Sequence, residues 1–287
     1  MKDRILQKNS DWDWEIKPET SWWQLNFREI FSYKDLIKQL VRKEFLGQYQ
    51  QTLLGPFWAL VQPLLSVIVY VFVFNRVIGV PTSNIPPFLF NLAGLTLWNL
   101  FSEIFLQTSR SFAQNADIFS KVYFPRIIVP ISALWLQLSL FCIQLFFLIL
   151  VCSYYYITGG ITFNVANFIL FIPVIIITAG IGFGGGLIFS VLTSKYRDLL
   201  SLIQLVIRLL MFASPVFYSL SLVPPNAKWI VKINPLSSLF EYFRFALLGI
   251  GNLELSLLVY SIVFMLILLL LSIMLFNKIS DSLIDVL

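Results

Sequence analysis

Histidine is absent from this 287-residue chain, and with it the commonest general base and metal ligand. Cysteine occurs only at Cys142 and Cys152, ten residues apart inside one apolar stretch. No CxxC spacing and no companion ligands accompany them, so they read as packed or lipid-facing thiols, and no metal site is expected. Charge is scarce too: Asp, Glu, Lys and Arg make up 12% of the chain, against roughly 25% in a soluble domain. No G-x-x-x-x-G-K-[ST] occurs, so the chain has no P-loop of its own, and no polar stretch is long enough for a hydrolytic domain. Few ionisable groups stand near one another, which argues against catalysis. The net charge of +5 is explained by membrane topology without a nucleic-acid partner.

What is present is apolar sequence, at 58% of residues. It falls into runs at about 55–78, 86–106, 127–157, 165–194, 199–220 and 255–276, each at or beyond the ~20 residues that cross a bilayer's hydrocarbon core. The fold expected is an all-α integral membrane protein with six transmembrane helices. Two of the runs stay uncharged for 31 and 30 residues, enough for tilt or for extra turns. Between Ser214 and Leu253 lie Pro215, Pro224, Pro225 and Pro235, with short apolar pieces interrupted by Glu241 and Arg244. This region, about 214–253, suits re-entrant helices between spans five and six.

Residues 1–54 are of a different composition, with nine Lys/Arg and eight Asp/Glu. Met1 to Ser10 is polar throughout, so a retained cytoplasmic segment is expected rather than a signal peptide. The membrane-spanning domain is then 55–287. With the N-terminus inside, fifteen Lys/Arg fall on the cytoplasmic side, and Arg76, Lys228, Lys232 and Arg244 fall outside. Both termini are therefore expected on the cytoplasmic side of a membrane that the chain crosses several times. Ser21-Trp-Trp-Gln24 and Ser32-Tyr-Lys-Asp35 have the form of helix starts, the second a capping box. Past the second, Ile37, Leu40, Val41 and Phe45 recur at helical spacing opposite Lys34, Lys38, Arg42 and Lys43, which predicts an amphipathic interface helix. Gly180, Gly182, Gly184 and Gly186 carry small-xxx-small spacing and predict close helix packing, not a dinucleotide turn. Glu103 and Arg208 are the intramembrane charges, each without a partner nearby in sequence and each expected to serve an ion pair or an interface.

The stretch from Leu40 through Tyr49, Thr52, Leu54, Gly55, Trp58, Gln62 and Pro63 to Leu64 resembles the approach to the first span of type-2 ABC exporter permeases of the cell-surface polysaccharide branch. Three later blocks agree in order. They are Asn115 to Arg126 with Pro130, then Tyr196-Arg-Asp-Leu199, then Ser214 to Tyr218 continuing through Asn234-Pro-Leu236, Glu241 and Arg244 to Gly249. The permease of O-antigen exporters is most similar, with teichoic-acid and capsule exporters close behind. Outside the family, a proton-coupled lipid-glycan flippase stays open as an alternative.

The resemblance implies a homodimer docked to two copies of a separate ATPase subunit, which carries ATP and Mg, while this chain binds no cofactor and is not itself an enzyme. It implies a polysaccharide substrate on a polyprenyl-pyrophosphate carrier, exported through membrane lipid. It implies a coupling helix within about 108–124, with Asn115, Asp117, Ile118, Phe119 and Lys121 as ATPase contacts, joined by Asp35 and Lys38 of the interface helix. Arg42, Lys43, Arg126 and Arg208 are the carrier pyrophosphate candidates. Trp58, Phe72, Trp98, Phe101, Phe217 and Tyr218 are the glycan-path candidates, since flat rings bind sugar faces without a fixed hydrogen-bond register.

Overall fold

In lipid a backbone must satisfy its own N–H and C=O groups, and the long apolar runs do so as helices. The computed structural model describes residues 27–82, 84–115, 124–159, 165–196, 198–251 and 253–280, and all regular structure among them is helical. A short helix α1 (Phe27–Ser32) leads into α2 (Lys34–Tyr49). A 3-10 turn at Gly55–Phe57 opens α3 (Trp58–Tyr70), which continues through a π-helical turn at Val71–Val77. Next come α4 (Pro87–Gln114), α5 (Ile128–Ile157) and, after a 3-10 turn at Val165–Leu170, α6 (Phe171–Lys195). The chain continues as α7 (Leu199–Ala213), α8 (Pro225–Ile233), α9 (Leu236–Leu248) and α10 (Leu255–Ser280).

Among the described residues, five helical stretches are long and apolar enough to cross a membrane: Gly55–Val77, Pro87–Gln114, Ile128–Ile157, Phe171–Lys195 and Leu255–Lys278. The run expected as one span over 199–220 departs from that pattern. Helix α7 stops at Ala213 after 15 residues, about 22 Å at 1.5 Å per residue, and Ser214 is already extended. Pro215 cannot donate to a helical ladder, and the carbonyls of Pro215, Val216 and Tyr218 are taken by the Arg244 guanidinium.

Helix α4 is the axis of the bundle and is buried along most of its length. Its closest neighbour is α6, and the glycines of α6 explain why. A Cβ on Gly182 would stand 2.9 Å from the Phe101 carbonyl, and one on Gly186 would stand 2.6 Å from Thr108 Cβ and 2.8 Å from the Phe105 carbonyl. On the opposite side of α6, Gly180 and Gly184 meet Met265, Leu268 and Leu269 of α10. Two small-residue stripes thus seat two helices, as the spacing predicts.

One local expectation shifts. The capping box at Ser32 does not form at the start of α2: Ser32 closes α1, and Tyr33 takes the N-cap position with no side-chain cap. The Ser21 helix start lies outside the described residues. Helix α2 is amphipathic as predicted, and its apolar side, with Leu36, Ile37 and Leu40, packs on Phe124, Ile128 and Val129 at the head of α5.

Arg244, placed outside the membrane by the charge tally, is 2% exposed and lies in the protein interior. Its local partner is Glu241, one turn earlier at 3.5 Å, and its guanidinium lies 4.2 Å from the Phe90 ring. Glu241 also accepts from the Leu220 N–H at 2.8 Å and the Ser219 hydroxyl at 3.3 Å. Asn234 donates to Ser214 at 2.8 Å. The 214–220 loop is therefore pinned to α9 by polar bonds, which satisfy backbone groups that have left the helix.

Candidate functional site

A cavity of about 420 Å³ opens among α3, α4, α5, α7 and the end of α2. The wall on α3 is a single helical stripe, Trp58, Gln62, Ser66 and Tyr70, each four residues from the last. Opposite stand Leu95, Trp98, Asn99 and Glu103 of α4. Gln137, Leu140 and Gln144 come from α5, Arg208 and Met211 from α7, and Gln48 and Tyr49 from α2. Five side-chain amides, one carboxylate and one guanidinium thus face a space bounded by apolar helices, interleaved with two Trp and two Tyr.

The α3 wall is built around a proline. Pro63 has no N–H to offer the Ala59 carbonyl one turn below, and Gln144 of α5 supplies the missing donor at 3.3 Å. One turn above the proline, Ser66 donates to the Gln62 carbonyl at 3.0 Å. The Gln-Pro pair in the first span therefore opens a backbone acceptor that a neighbouring helix fills, and Gln144 both closes the helix and lines the cavity.

Glu103 does have polar neighbours on its own helix, which corrects the reading from sequence: the Gln107 side chain hydrogen-bonds to it, and Arg110 stands within electrostatic reach. All three lie on one side of α4. Arg208 sits ten residues into α7 on the opposite wall. Trp98 is packed on Phe101 at 5.4 Å and Phe240 at 6.5 Å between ring centroids, so only part of its indole meets the cavity. Such an arrangement offers donors, acceptors and ring faces together, the combination that recognises a hydroxyl-rich ligand with apolar C–H faces.

Comparison with known proteins places this arrangement. The model of the ABC-2 type transporter family matches residues 35–248, a span that contains every cavity-lining residue. The chain belongs to the ABC-2 type transporter family. Among curated proteins it is similar to two O-antigen export system permease proteins RfbA of Klebsiella pneumoniae, each 29% identical over 210 residues, 73% of this chain and 79% of theirs. The RfbA permease protein of Myxococcus xanthus is 27% identical over 219 residues, 76% of this chain and 82% of its own.

In this ABC-2 transporter chain the residues singled out from sequence go to different places. Trp58, Trp98 and Arg208 line the cavity. Phe101 and Phe217 are packed in the core, Phe217 stacked on Phe74 at 4.7 Å. Phe72 is exposed on the outer face of its helix, and the Tyr218 hydroxyl donates to the Ala213 carbonyl. Asp35, Lys38, Arg42 and Lys43 are exposed on α2, and Arg126 is partly buried just before the head of α5. Asn115 is buried at the end of α4, where it donates to the Ser111 carbonyl at 3.0 Å and hydrogen-bonds Glu44 of α2. Asp117, Ile118, Phe119 and Lys121 lie outside the described residues.

Sequence reasoning passed over Ser66, Asn99, Gln137 and Gln144 as cavity residues. The signal that finds them is polar residues recurring every three, four or seven positions inside runs that are otherwise apolar: Gln137 and Gln144 on α5, Asn99 and Glu103 on α4.

Proposed function

We propose that this chain is the permease subunit of an ABC exporter that moves an O-antigen-like polysaccharide, linked to polyprenyl pyrophosphate, across the bacterial cytoplasmic membrane. The cavity carries the reading: it is a polar, aromatic-lined space between apolar helices, built from residues inside the family match. The similarity to O-antigen export permeases supports the cargo. In this reading α7 is the fifth of six spans, shortened because the loop after it folds back into the bundle, and the 214–253 region is re-entrant. Two copies pair, and the apolar faces of α3 with the turn after it (Leu65, Ile68, Phe72) and of α7 (Leu202, Leu205, Leu209), exposed on the helices that bound the cavity, support that pairing. Two separate ATPase subunits supply the energy at the cytoplasmic side, reached through residues 115–121 and the charged face of α2. Arg42, Lys43 and Arg126 meet the carrier's pyrophosphate at the inner leaflet.

Deleting the gene in its host and comparing surface-labelled with whole-cell glycan tests the cargo. Surface glycan should be lost while lipid-linked glycan accumulates inside; an unchanged surface glycan, with no second exporter in the strain, overturns it. A second measurement separates the energy source. Transport should survive collapse of the proton gradient and stop with vanadate, whereas the converse would move the assignment to a proton-coupled flippase.

A further inference from the structure

Arg208 is the tenth residue of a 15-residue helix whose other members are apolar except Ser201 and Gln204. A guanidinium within a membrane-spanning bundle is costly unless it is paired or hydrated. The buried charge of the bundle is paired: Arg244 holds Glu241 and three carbonyls. Glu103 has a hydrogen bond from Gln107 of its own helix. Arg208 has neither a hydrogen bond nor an ion pair among the described residues. Its cationic head therefore stands ready in the same space as Trp58, Trp98 and the amides of Gln62, Asn99, Gln137 and Gln144. Among the four basic candidates for the carrier, it alone lines the cavity with the sugar-binding groups.

Glu103 lines the opposite wall and makes no ion pair with Arg208; its nearest polar neighbours, Gln107 and Arg110, lie one and two turns along its own helix. The Arg208 guanidinium is thus left without a direct partner beside two indoles and a set of amides. We propose that Arg208 is a specificity-determining residue for an anionic sugar: the ring of a saccharide lies against Trp58 and Trp98, and a phosphate or carboxylate attached to it binds the Arg208 guanidinium. The proposal rests on the cavity being the glycan path. A planar guanidinium binds such an anion through two parallel hydrogen bonds, a geometry that an ammonium does not reproduce. The shared chemistry is an anion one bond from a sugar, supplied either by the diphosphate that joins the first sugar to its lipid or by an acidic group on the repeat.

The test uses the full chain with its ATPase subunit in nanodiscs, titrated with three probes and read by tryptophan fluorescence. The probes are farnesyl-diphosphate-linked N-acetylglucosamine, an oligogalacturonate and neutral maltoheptaose. Arg208→Gln should weaken binding of at least one anionic probe by about tenfold or more, the loss expected of hydrogen bonds to a charged group, and leave maltoheptaose unchanged. Arg208→Lys should recover only part of the loss, and Arg76→Gln, at the exposed end of the α3 stretch, should match the wild type. Loss confined to the diphosphate probe places the carrier head at Arg208; loss confined to the oligogalacturonate places an acidic repeat there. Equal binding of all three probes by wild type and Arg208→Gln overturns the proposal while leaving the glycan path standing. Failure of every probe to bind the wild-type complex overturns both.

Discussion

Single side chains in this protein act mainly by completing hydrogen bonds that helices in lipid leave open. Gln144 is the plainest case, because Pro63 deprives the Ala59 carbonyl of its partner and Gln144 replaces it. Gln144→Leu should strand that carbonyl and lower stability by about 1–3 kcal/mol, seen as a reduced thermal midpoint in detergent; an unchanged midpoint would show that water serves as well. Arg244 supports more groups. Arg244→Met leaves the buried Glu241 without its ion-pair partner and frees three carbonyls, for an expected loss of about 3–5 kcal/mol. Adding Glu241→Gln should recover part of this, since the stranded charge is removed. Outside the spans, burial raises the Glu44 carboxyl above its ordinary range, with Lys43 and Asn115 pulling it partly back. A raised carboxyl in the folded state favours folding most when protonated, and that contribution is lost as pH climbs from the ordinary carboxylate value through the raised one. The wild type should therefore match Glu44→Gln in acid and fall behind it towards neutral pH, with thermal midpoints across the series as the check.

At the scale of elements, glycine spacing decides which helices touch. Gly182 and Gly186 bring α6 against the backbone of α4, and Gly180 with Gly184 seats α10 on the other side. Gly186→Val should push against Thr108 and the Phe105 carbonyl and cost about 1–3 kcal/mol or more. Gly47, on α2, has nothing within 4 Å of where its Cβ would lie; Gly47→Ala should be neutral or stabilise by about 0.5–1 kcal/mol. Equal effects at the two positions, in thermal unfolding, would remove the packing argument. These stripes were legible because small residues four apart share a helix face whatever the partner. The Ser32 capping box was not, because a helix start depends on where the preceding helix ends, and α1 runs through Ser32 itself. The end of α7 escaped for a related reason: Val216 and Phe217 are apolar enough to continue a span, yet they are buried as loop residues, the Val216 backbone against Gly94 of α4 and the Phe217 ring on Tyr70 and Phe74.

For the whole molecule, the cavity is the feature on which transport should depend. Trp58→Ala and Trp98→Ala should each lower glycan export while membrane insertion stays intact, with Trp98→Ala also lowering stability because its ring is 4% exposed. Normal export by both variants would detach the rings from the path. Asp117→Ala with Phe119→Ala should leave the bundle folded but uncouple ATP turnover from transport, measured as transport per ATP hydrolysed; an unchanged ratio would end the coupling assignment. The amino-acid order by itself determined that the chain is a helical membrane protein, since runs of that length and polarity are stable only with lipid around them and backbone bonds inside. It also determined which face of each helix is small, polar or charged, because those patterns are local and periodic. Tertiary structure alone decided that Gln62, Asn99, Gln137 and Arg208 share one cavity, and that Arg244 is interior. Those facts join residues tens to more than a hundred positions apart, and helical periodicity specifies a face without specifying what that face meets.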